Sequence, residues 1–284
     1  IVCLHYMKIF LFGSTGMLGS YVKQYLLQNN KTIICINRNE LDVSDVSYEK
    51  IQDIITRHGA VKNDIIVNCI GVIPQSKETN KVDLRNYFLI NSVFPIMLSS
   101  IAQVKKMKFV HVTTDCVFSG NKGNYNEHDF HDETSFYGVS KSLGELGGNM
   151  TIIRTSIIGE ERKNKYSLFE WVKSHESSVI NGYTNHYWNG VTCLELSKII
   201  NYMIDNDIFW HGVRHVFTPK SLSKFELVSI INHVYNLNNT IIEHETDNNV
   251  NKTLTSCYET SELFDIPELH QQICEIKHFK LAED

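Results

Sequence analysis

Apolar residues recur along the first half of the chain in short runs that alternate with amphipathic segments. Runs with the length of a buried strand cover residues 8–12, 32–36, 64–69, 109–112 and 151–154. Segments with helical spacing cover residues 21–28, 47–58 and 82–105. This alternation predicts an α/β fold with a doubly wound parallel sheet of the Rossmann type.

The third helical segment contains Pro95 in its interior. Proline has no N–H to donate, and its ring clashes with the carbonyl group four residues earlier. We therefore expect a kink or a break at Phe94.

The pattern changes after Gly159. A charged stretch at 160–165 and a helix ending at His175 precede residues 181–189, which are rich in turn formers and predict a loop. Further on, residues 194–205 and 224–235 predict helices and 214–217 a short strand. After Asn236, Asn-rich stretches predict surface loops that separate short elements. We expect two domains: a Rossmann domain formed by 7–156 plus 188–217, and a smaller C-terminal substrate domain formed by 157–187 plus 218–284.

The composition narrows the function classes. The chain has 284 residues, a net charge of −5 and no run of Lys or Arg, which argues against a nucleic-acid surface and a polybasic membrane patch. Its seven cysteines have no CxxC spacing, so neither a disulfide framework nor a metal site is expected, and a reducing cytoplasm fits best. No apolar run has the roughly 18 residues of a membrane helix. We expect Met7 to be the natural start; an extended first strand is the alternative.

Three glycines follow the first predicted strand in the string Gly13-Ser-Thr-Gly16-Met-Leu-Gly19. The first permits a tight turn, the second lets the backbone approach a pyrophosphate, and the third lets the next helix pack closely. Amide groups at the start of that helix favour an anion. The pattern predicts a dinucleotide site that includes Thr15, Met17 and Leu18; a tight turn without a ligand is the alternative.

The choice of cofactor depends on the end of the second strand. Asn37 and Arg38 stand there in place of the acidic residue that would hold a ribose hydroxyl group, and an arginine suits a 2′-phosphate. NADPH is therefore expected, with NADH and a merely solvated arginine as alternatives. Asp42 is placed to accept from the adenine amine. Beside the cofactor we also expect Cys69 and Gly71, because glycine lets backbone lie against it.

The stretch from 110 to 145 carries the candidate chemistry. Thr114, Asp115 and Cys116 gather where the fourth strand ends, which is where α/β sheets place their sites. Tyr137 and Lys141 are four residues apart in a helical segment, so both side chains lie on one face. An adjacent ammonium group lowers the pKa of a tyrosine and would prepare Tyr137 as a general acid. The alternative is a chance pair on an amphipathic helix.

With Asn91, TTD at a strand end and Tyr-x-x-x-Lys in this order, the chain resembles the extended short-chain dehydrogenase/reductase family. The strings TTDCVFSGNKGNYNE and FYGVSKSLGE resemble its dTDP-4-dehydrorhamnose reductase branch, up to about residue 219. The resemblance implies a catalytic set of Thr114, Tyr137 and Lys141 with Asn91 in support. It implies hydride transfer from a reduced nicotinamide to the C4 ketone of a nucleotide-linked sugar. It also implies substrate contacts from Asp115, Val117 and Phe118.

Cys116 departs from that branch, which usually carries an aromatic residue there. The position is similar to the catalytic cysteine of GDP-fucose synthase, and a thiol there could move a proton beside the ketone. Lys165 and His186 are the candidate partners for such an epimerisation. The alternative is that Cys116 only packs.

The segment 182–191 resembles reductases that act on UDP-2-acetamido-2,6-dideoxy-hexos-4-uloses. Trp188 could stack on a base or sugar face or fill a core. The partner is thus a UDP- or dTDP-linked sugar, with no nucleic acid and no membrane, and a homodimer stays open. A non-catalytic NADP-binding regulator is the competing function. An intact proton-transfer set argues against it.

Overall fold

In a computed structural model, the described residues are 7–74, 84–162 and 165–282. Residues 1–6, which would precede the proposed start at Met7, lie outside this range. The strands are β1 (Lys8–Phe12), β2 (Thr32–Ile36), β3 (Ile65–Asn68), β4 (Lys108–Thr114), β5 (Thr151–Thr155), β6 (Ile157–Ile158), β7 (Val179–Tyr183), β8 (His186–Trp188), β9 (Val191–Thr192), β10 (Gly212–His215), β11 (Leu222–Ser223), β12 (Thr240–His244) and β13 (Val250–Asn251).

The α-helices are α1 (Met17–Gln28), α2 (Tyr48–Arg57), α3 (Leu84–Phe88), α4 (Phe94–Lys105), α5 (Phe136–Gly144), α6 (Leu168–Ser174), α7 (Cys193–Asp205), α8 (Lys224–Tyr235), α9 (Thr260–Phe264) and α10 (Leu269–His278). Short 3₁₀ turns cover Val43–Asp45 and Asp115–Val117, and a π-helical turn covers Leu89–Val93.

Six parallel strands form the central sheet in the order β10-β5-β4-β3-β1-β2. The strand order reverses between β1 and β3, which is the position where open α/β sheets bind ligands. The predicted fold class is confirmed. The return strand is also confirmed as β10, although it begins two residues earlier than the apolar pattern indicates.

Alternate residues of each strand enter two different cores. Ile9 and Leu11 of β1 join a cluster with α1, α7 and α10, whereas Phe10 and Phe12 face α2 and α4. Phe12 packs edge-on against Phe94, with ring centroids 5.7 Å apart. Burial on both faces explains why these strands read as continuous apolar runs.

The long helical segment is continuous in direction but changes its winding before Pro95. The π-helical turn Leu89–Val93 leads into α4, and Pro95 occupies the first turn of that helix. Pro95 has no N–H to donate, and the wider π-helical turn before it tolerates this loss. The segment therefore has a π-helical turn where the sequence predicts a kink or a break at Phe94. By length and composition Leu84–Lys105 could cross a membrane. Phe94, Leu98 and Ile101 are instead core residues under the sheet.

The C-terminal region departs from the sequence prediction at 181–189. These residues do not form a loop, because β7 pairs with β12 and β8 pairs with β11 and β13. After Asn236 the chain forms two strands and two helices, which are the short elements that the Asn-rich turns separate. Each of these strands depends on a partner distant in sequence, which local turn propensity does not reveal. The proposed division into two domains stays a prediction, since one apolar cluster extends from β1 to α10.

Candidate active site

The glycine turn follows β1 and leads directly into α1. Gly13 has a left-handed φ of +84°, and a Cβ on Gly19 would lie 2.0 Å from the Gly13 carbonyl oxygen. Gly16 begins α1 without a side-chain cap, and the first turn holds no acidic residue. Its amide groups can therefore receive an anion, and close packing of glycine fits the pyrophosphate of a dinucleotide.

A cavity of about 600 Å³ opens beside this turn, at the carboxyl ends of β1, β3 and β4. It therefore lies at the reversal of strand order. Of the sequence-predicted residues it brings together those of the glycine turn, the third strand end and the catalytic set: Thr15, Gly16, Met17, Leu18, Cys69, Gly71, Thr114, Asp115, Cys116, Tyr137, Lys141 and Trp188.

Asn91 lies in the π-helical turn and connects two walls of the cavity. Its side-chain oxygen accepts from the Val72 amide at 2.9 Å, and its amide donates to the Val72 carbonyl at 3.1 Å and the Ser140 hydroxyl at 3.0 Å. Gly71 adjoins this link, and a Cβ there would lie 2.5 Å from the Lys141 Nζ. Asn91 thus supports Lys141 from beneath, and glycine at 71 leaves room for the ammonium group.

The end of β4 turns sharply through a 3₁₀ segment. The Thr114 hydroxyl accepts from the Cys116 amide at 3.1 Å and donates to the Asp115 carboxylate at 3.1 Å. The Cys116 thiol also donates to Asp115, at 3.5 Å. Burial raises the pKa of Asp115, and burial together with the Asp115 charge raises the pKa of Cys116 to about 12. The thiol is therefore protonated at neutral pH.

Tyr137 and Lys141 face the cavity from α5, which Ser135 caps through the Gly138 amide. Burial raises the pKa of Tyr137, while a hydrogen bond with Thr114 opposes that rise. Burial lowers the pKa of Lys141 to about 8. The expected lowering of the tyrosine pKa is thus outweighed by desolvation. A protonated phenol beside Thr114 can donate a proton to an oxygen held between the two hydroxyl groups.

The predicted cofactor contacts Arg38 and Asp42 lie after β2, outside the cavity wall. Arg38 is exposed after β2, with its Nε 4.0 Å from Asp42. Asp42 accepts from the amide and hydroxyl groups of Ser44 and caps a 3₁₀ turn. Hydrogen bonds from Ser44 lower the pKa of Asp42, so the carboxylate is charged.

Four residues predicted to contact the substrate are also absent from the cavity wall. Val117 and Phe118 are fully buried, and Phe118 stacks on Tyr125 at 4.2 Å. Lys165 is exposed and is not part of the cavity wall, and the His186 ring pairs with the Thr246 hydroxyl at 2.8 Å. Val117 and Phe118 form a small apolar cluster with Tyr125 and Leu254 next to the 3₁₀ turn, and their predicted contact with a substrate stays a prediction.

Sequence reasoning missed Lys224, which lines the cavity from the first turn of α8. Its Nζ lies 5.2 Å from the centroid of the Trp188 ring. Burial lowers the pKa of Lys224, and the nearby Asp115 carboxylate opposes that change. A lysine at the start of an amphipathic helix gives no signal in the sequence, because only the tertiary fold brings it to β4.

A buried polar network lies behind the site and holds the loop at 127–133 in place. Arg154 is 1% exposed, pairs with Glu145 and donates to His131 at 2.7 Å and to His215 at 2.8 Å. The Glu127 carboxylate accepts from the His215 amide at 2.8 Å. Both imidazole rings accept from Arg154 and are therefore neutral. The loop is thus anchored to β5 and β10.

Comparison with known proteins gives a consistent result. The sequence profile described as RmlD substrate binding domain matches residues 7–258. The chain is 29% identical over 156 residues to the spore coat polysaccharide biosynthesis protein SpsK of Bacillus subtilis, covering 52% of each chain. It is 27% identical over 153 residues to a dTDP-4-keto-6-deoxy-D-glucose reductase of Streptomyces niveus, covering 51% of this chain and 50% of that one. The chain thus spans about half the length of the curated relatives it matches.

Among solved structures, a dTDP-4-dehydrorhamnose reductase from Bacillus anthracis in complex with NADP superimposes with a TM-score of 0.81. That match covers 96% of this chain and 99% of the other, at 19% identity. At this identity the likeness establishes a shared fold.

Proposed function

The chain belongs to the RmlD substrate-binding family, and we propose that it is an NADPH-dependent reductase of the C4 ketone in a nucleotide-linked 4-keto-6-deoxy sugar. The observation that carries this proposal is the convergence of Thr114, Tyr137 and Lys141 on one cavity beside the glycine turn. A regulator that only binds the cofactor would not need a proton-transfer set. A cytoplasmic location fits a substrate made from soluble nucleotides.

The residues divide the chemistry between them. NADPH, when bound, supplies the hydride that forms the new C–H bond at C4. Thr114 and Tyr137 hold the ketone oxygen, and Tyr137 donates the proton that turns this oxygen into a hydroxyl group. Lys141 lies one helical turn from Tyr137, and its charge stabilises the tyrosinate that remains. Solvent then restores the phenolic proton.

Two observations support different nucleotide-linked sugars as the substrate. The name of the Streptomyces niveus relative supports a dTDP-linked sugar, as in dTDP-4-dehydrorhamnose reduction. The resemblance of segment 182–191 supports a UDP-linked 2-acetamido sugar instead. Trp188 of this segment is buried in the cavity wall, where its indole can lie against an apolar sugar face.

The test is to mix the protein and NADPH with matched UDP- and dTDP-linked 4-keto-6-deoxy sugars, following NADPH absorbance and identifying products by NMR. We expect a 4-hydroxy product from at least one sugar, and loss of this product in Tyr137→Phe. Absence of turnover with every 4-keto sugar, despite NADPH binding, would favour the regulator.

Epimerisation at C3 before reduction is a second candidate, which Cys116 favours. Its thiol faces the cavity two residues after Thr114 and is protonated, which suits the return of a proton to a carbon beside the ketone. Removal of the first proton needs a base on the other face. Incorporation of deuterium at C3 from heavy water, without NADPH, would support this activity, and its absence would remove it.

A further inference from the structure

Lys224 reaches the cavity from a rigid position. Ser223 and Glu226 form a reciprocal capping box at the start of α8, so the backbone that carries the lysine is fixed. Its Nζ lies over the Trp188 ring, 5.2 Å from the ring centroid, in a cation–π contact. The ammonium group is therefore held at one end of the cavity.

The titratable groups that act on this ammonium group follow the end of β4. Asp115 and Cys116 are the acidic groups that act on Lys224, and both lie in the 3₁₀ turn after Thr114. Within residues 7–74, 84–162 and 165–282, no side chain accepts a hydrogen bond from Lys224. An ammonium group has three donors, and a partly buried one without acceptors favours a ligand that supplies oxygen atoms.

Lys224 shares the cavity wall with Thr114, Cys116 and Tyr137. If Thr114 and Tyr137 hold the ketone oxygen, other residues of this wall face the carbons beside the ketone. Of these two carbons only C3 carries an oxygen substituent outside the ring. We propose that Lys224 is a specificity-determining residue that donates a hydrogen bond to the oxygen on C3 of the sugar. This inference rests on the proposed function and identifies the group that the site selects.

Lys252 provides a matched control. Its charge also acts on Asp115, but its Nζ pairs with Glu133 at 3.5 Å and does not line the cavity. Removing either lysine changes the field at Asp115, whereas only Lys224 can contact the sugar. A variant of each therefore separates direct contact from a general electrostatic effect.

The experiment compares the wild type, Lys224→Met, Lys224→Arg and Lys252→Met with two 4-keto sugars that differ only in having or lacking the C3 oxygen. In Lys224→Met, kcat/KM for the 3-hydroxy sugar should fall about 10–100-fold, the effect of losing a charged hydrogen bond. The 3-deoxy sugar should change less than about threefold. Lys224→Arg should recover part of the difference, and Lys252→Met should not discriminate between the sugars.

Equal losses on both sugars, or no loss, would overturn the inference. NADPH binding and thermal unfolding of each variant report whether the fold is retained, and Lys224→Arg is decisive if Lys224→Met unfolds. If the wild type reduces neither sugar, the proposed function has failed. Calorimetric binding of the matching 3-hydroxy and 3-deoxy nucleotide sugars then tests Lys224 alone: selective weakening of the 3-hydroxy sugar supports the contact, and equal binding by the variant and the wild type rejects it.

Discussion

The side-chain amide of Asn91 donates a hydrogen bond to the Ser140 hydroxyl across 3.0 Å, and Ser140 directly precedes Lys141. The same amide group is bonded to Val72, which follows the glycine that faces the Lys141 Nζ. One buried side chain therefore sets the separation between α5 and the loop after β3.

We predict that Asn91→Ala lowers the free energy of unfolding by about 1–3 kcal/mol, because buried partners lose their hydrogen bonds. It should also lower kcat at least about tenfold, because Lys141 shifts. A tenfold decrease corresponds to a rise of about 1.4 kcal/mol in the activation free energy. Urea unfolding and steady-state kinetics measure the two effects. Asn29→Ala removes an exposed asparagine and should change neither. Unchanged kinetics in Asn91→Ala would exclude a positioning role.

Tyr137→Phe keeps the ring and removes only the phenolic hydroxyl group. Reduction should fall roughly 10²–10⁴-fold, as expected for a lost general acid, with little change in NADPH affinity. Single-turnover measurements with saturating NADPH isolate this step. Tyr202→Phe, at an exposed tyrosine on α7, serves as the control. Near-normal turnover by Tyr137→Phe would remove the tyrosine from the mechanism.

The parts of the fold that were predictable depend on local patterns. The bounds of β1, β2 and α8 agree with the sequence prediction residue by residue, because buried strands and an amphipathic helix have strong periodicity. The catalytic side chains also come from one continuous stretch, so their spacing brings them together with little help from the rest of the chain.

The remaining parts depend on contacts between distant residues. β7 and β12 pair across about sixty residues through Ile180 and Ile241, and neither segment has a strong strand pattern alone. Lys224 reaches the cavity that Asp115 lines only because α8 packs on β7 and β12, far from β4 in sequence. Arg154 similarly brings together His131 from a loop and His215 from β10. Charge and turn propensity within a short sequence window cannot reveal these contacts, because the contacts arise from tertiary packing.

Arg38→Ala tests the cofactor preference. The KM for NADPH should rise about tenfold, because the arginine would lose a charged hydrogen bond to the 2′-phosphate, whereas the KM for NADH should change little. Arg57→Ala removes another exposed arginine, at the end of α2, and controls for net charge. Equal changes for both cofactors would place Arg38 outside the site.

The stability of the protein should fall as the pH decreases below about 6.5. Burial lowers the pKa of His215 to about 4 and of His111 to about 3, so both stay neutral in the folded chain while the unfolded chain takes up protons. Their contribution is complete above the unfolded pKa and is lost as the pH falls toward the folded values. For His215 alone the loss is on the order of 3 kcal/mol by pH 4.

His215→Gln isolates this contribution. A glutamine oxygen can accept from Arg154 and its amide can donate to Thr255, as the neutral ring does. Urea unfolding at pH 7 and pH 5 should show a smaller loss in this variant than in the wild type. His128→Gln, at an exposed histidine, should keep the wild-type loss. The same pH dependence in both variants would contradict the assignment.

Cys116 decides whether the cavity supports a simple reduction or an epimerisation as well. Epimerisation removes a proton from one face of C3 and returns one to the other, so it needs a group beyond those that serve hydride transfer. The thiol faces the cavity, is protonated, and is hydrogen-bonded to a buried carboxylate. If it carries this proton, Cys116→Ser should abolish deuterium incorporation at C3 and still reduce a ketone that has the final configuration. Cys257→Ser, at an exposed cysteine, controls for the loss of a thiol. Normal exchange in Cys116→Ser would leave the thiol as a packing group and the reaction as reduction alone.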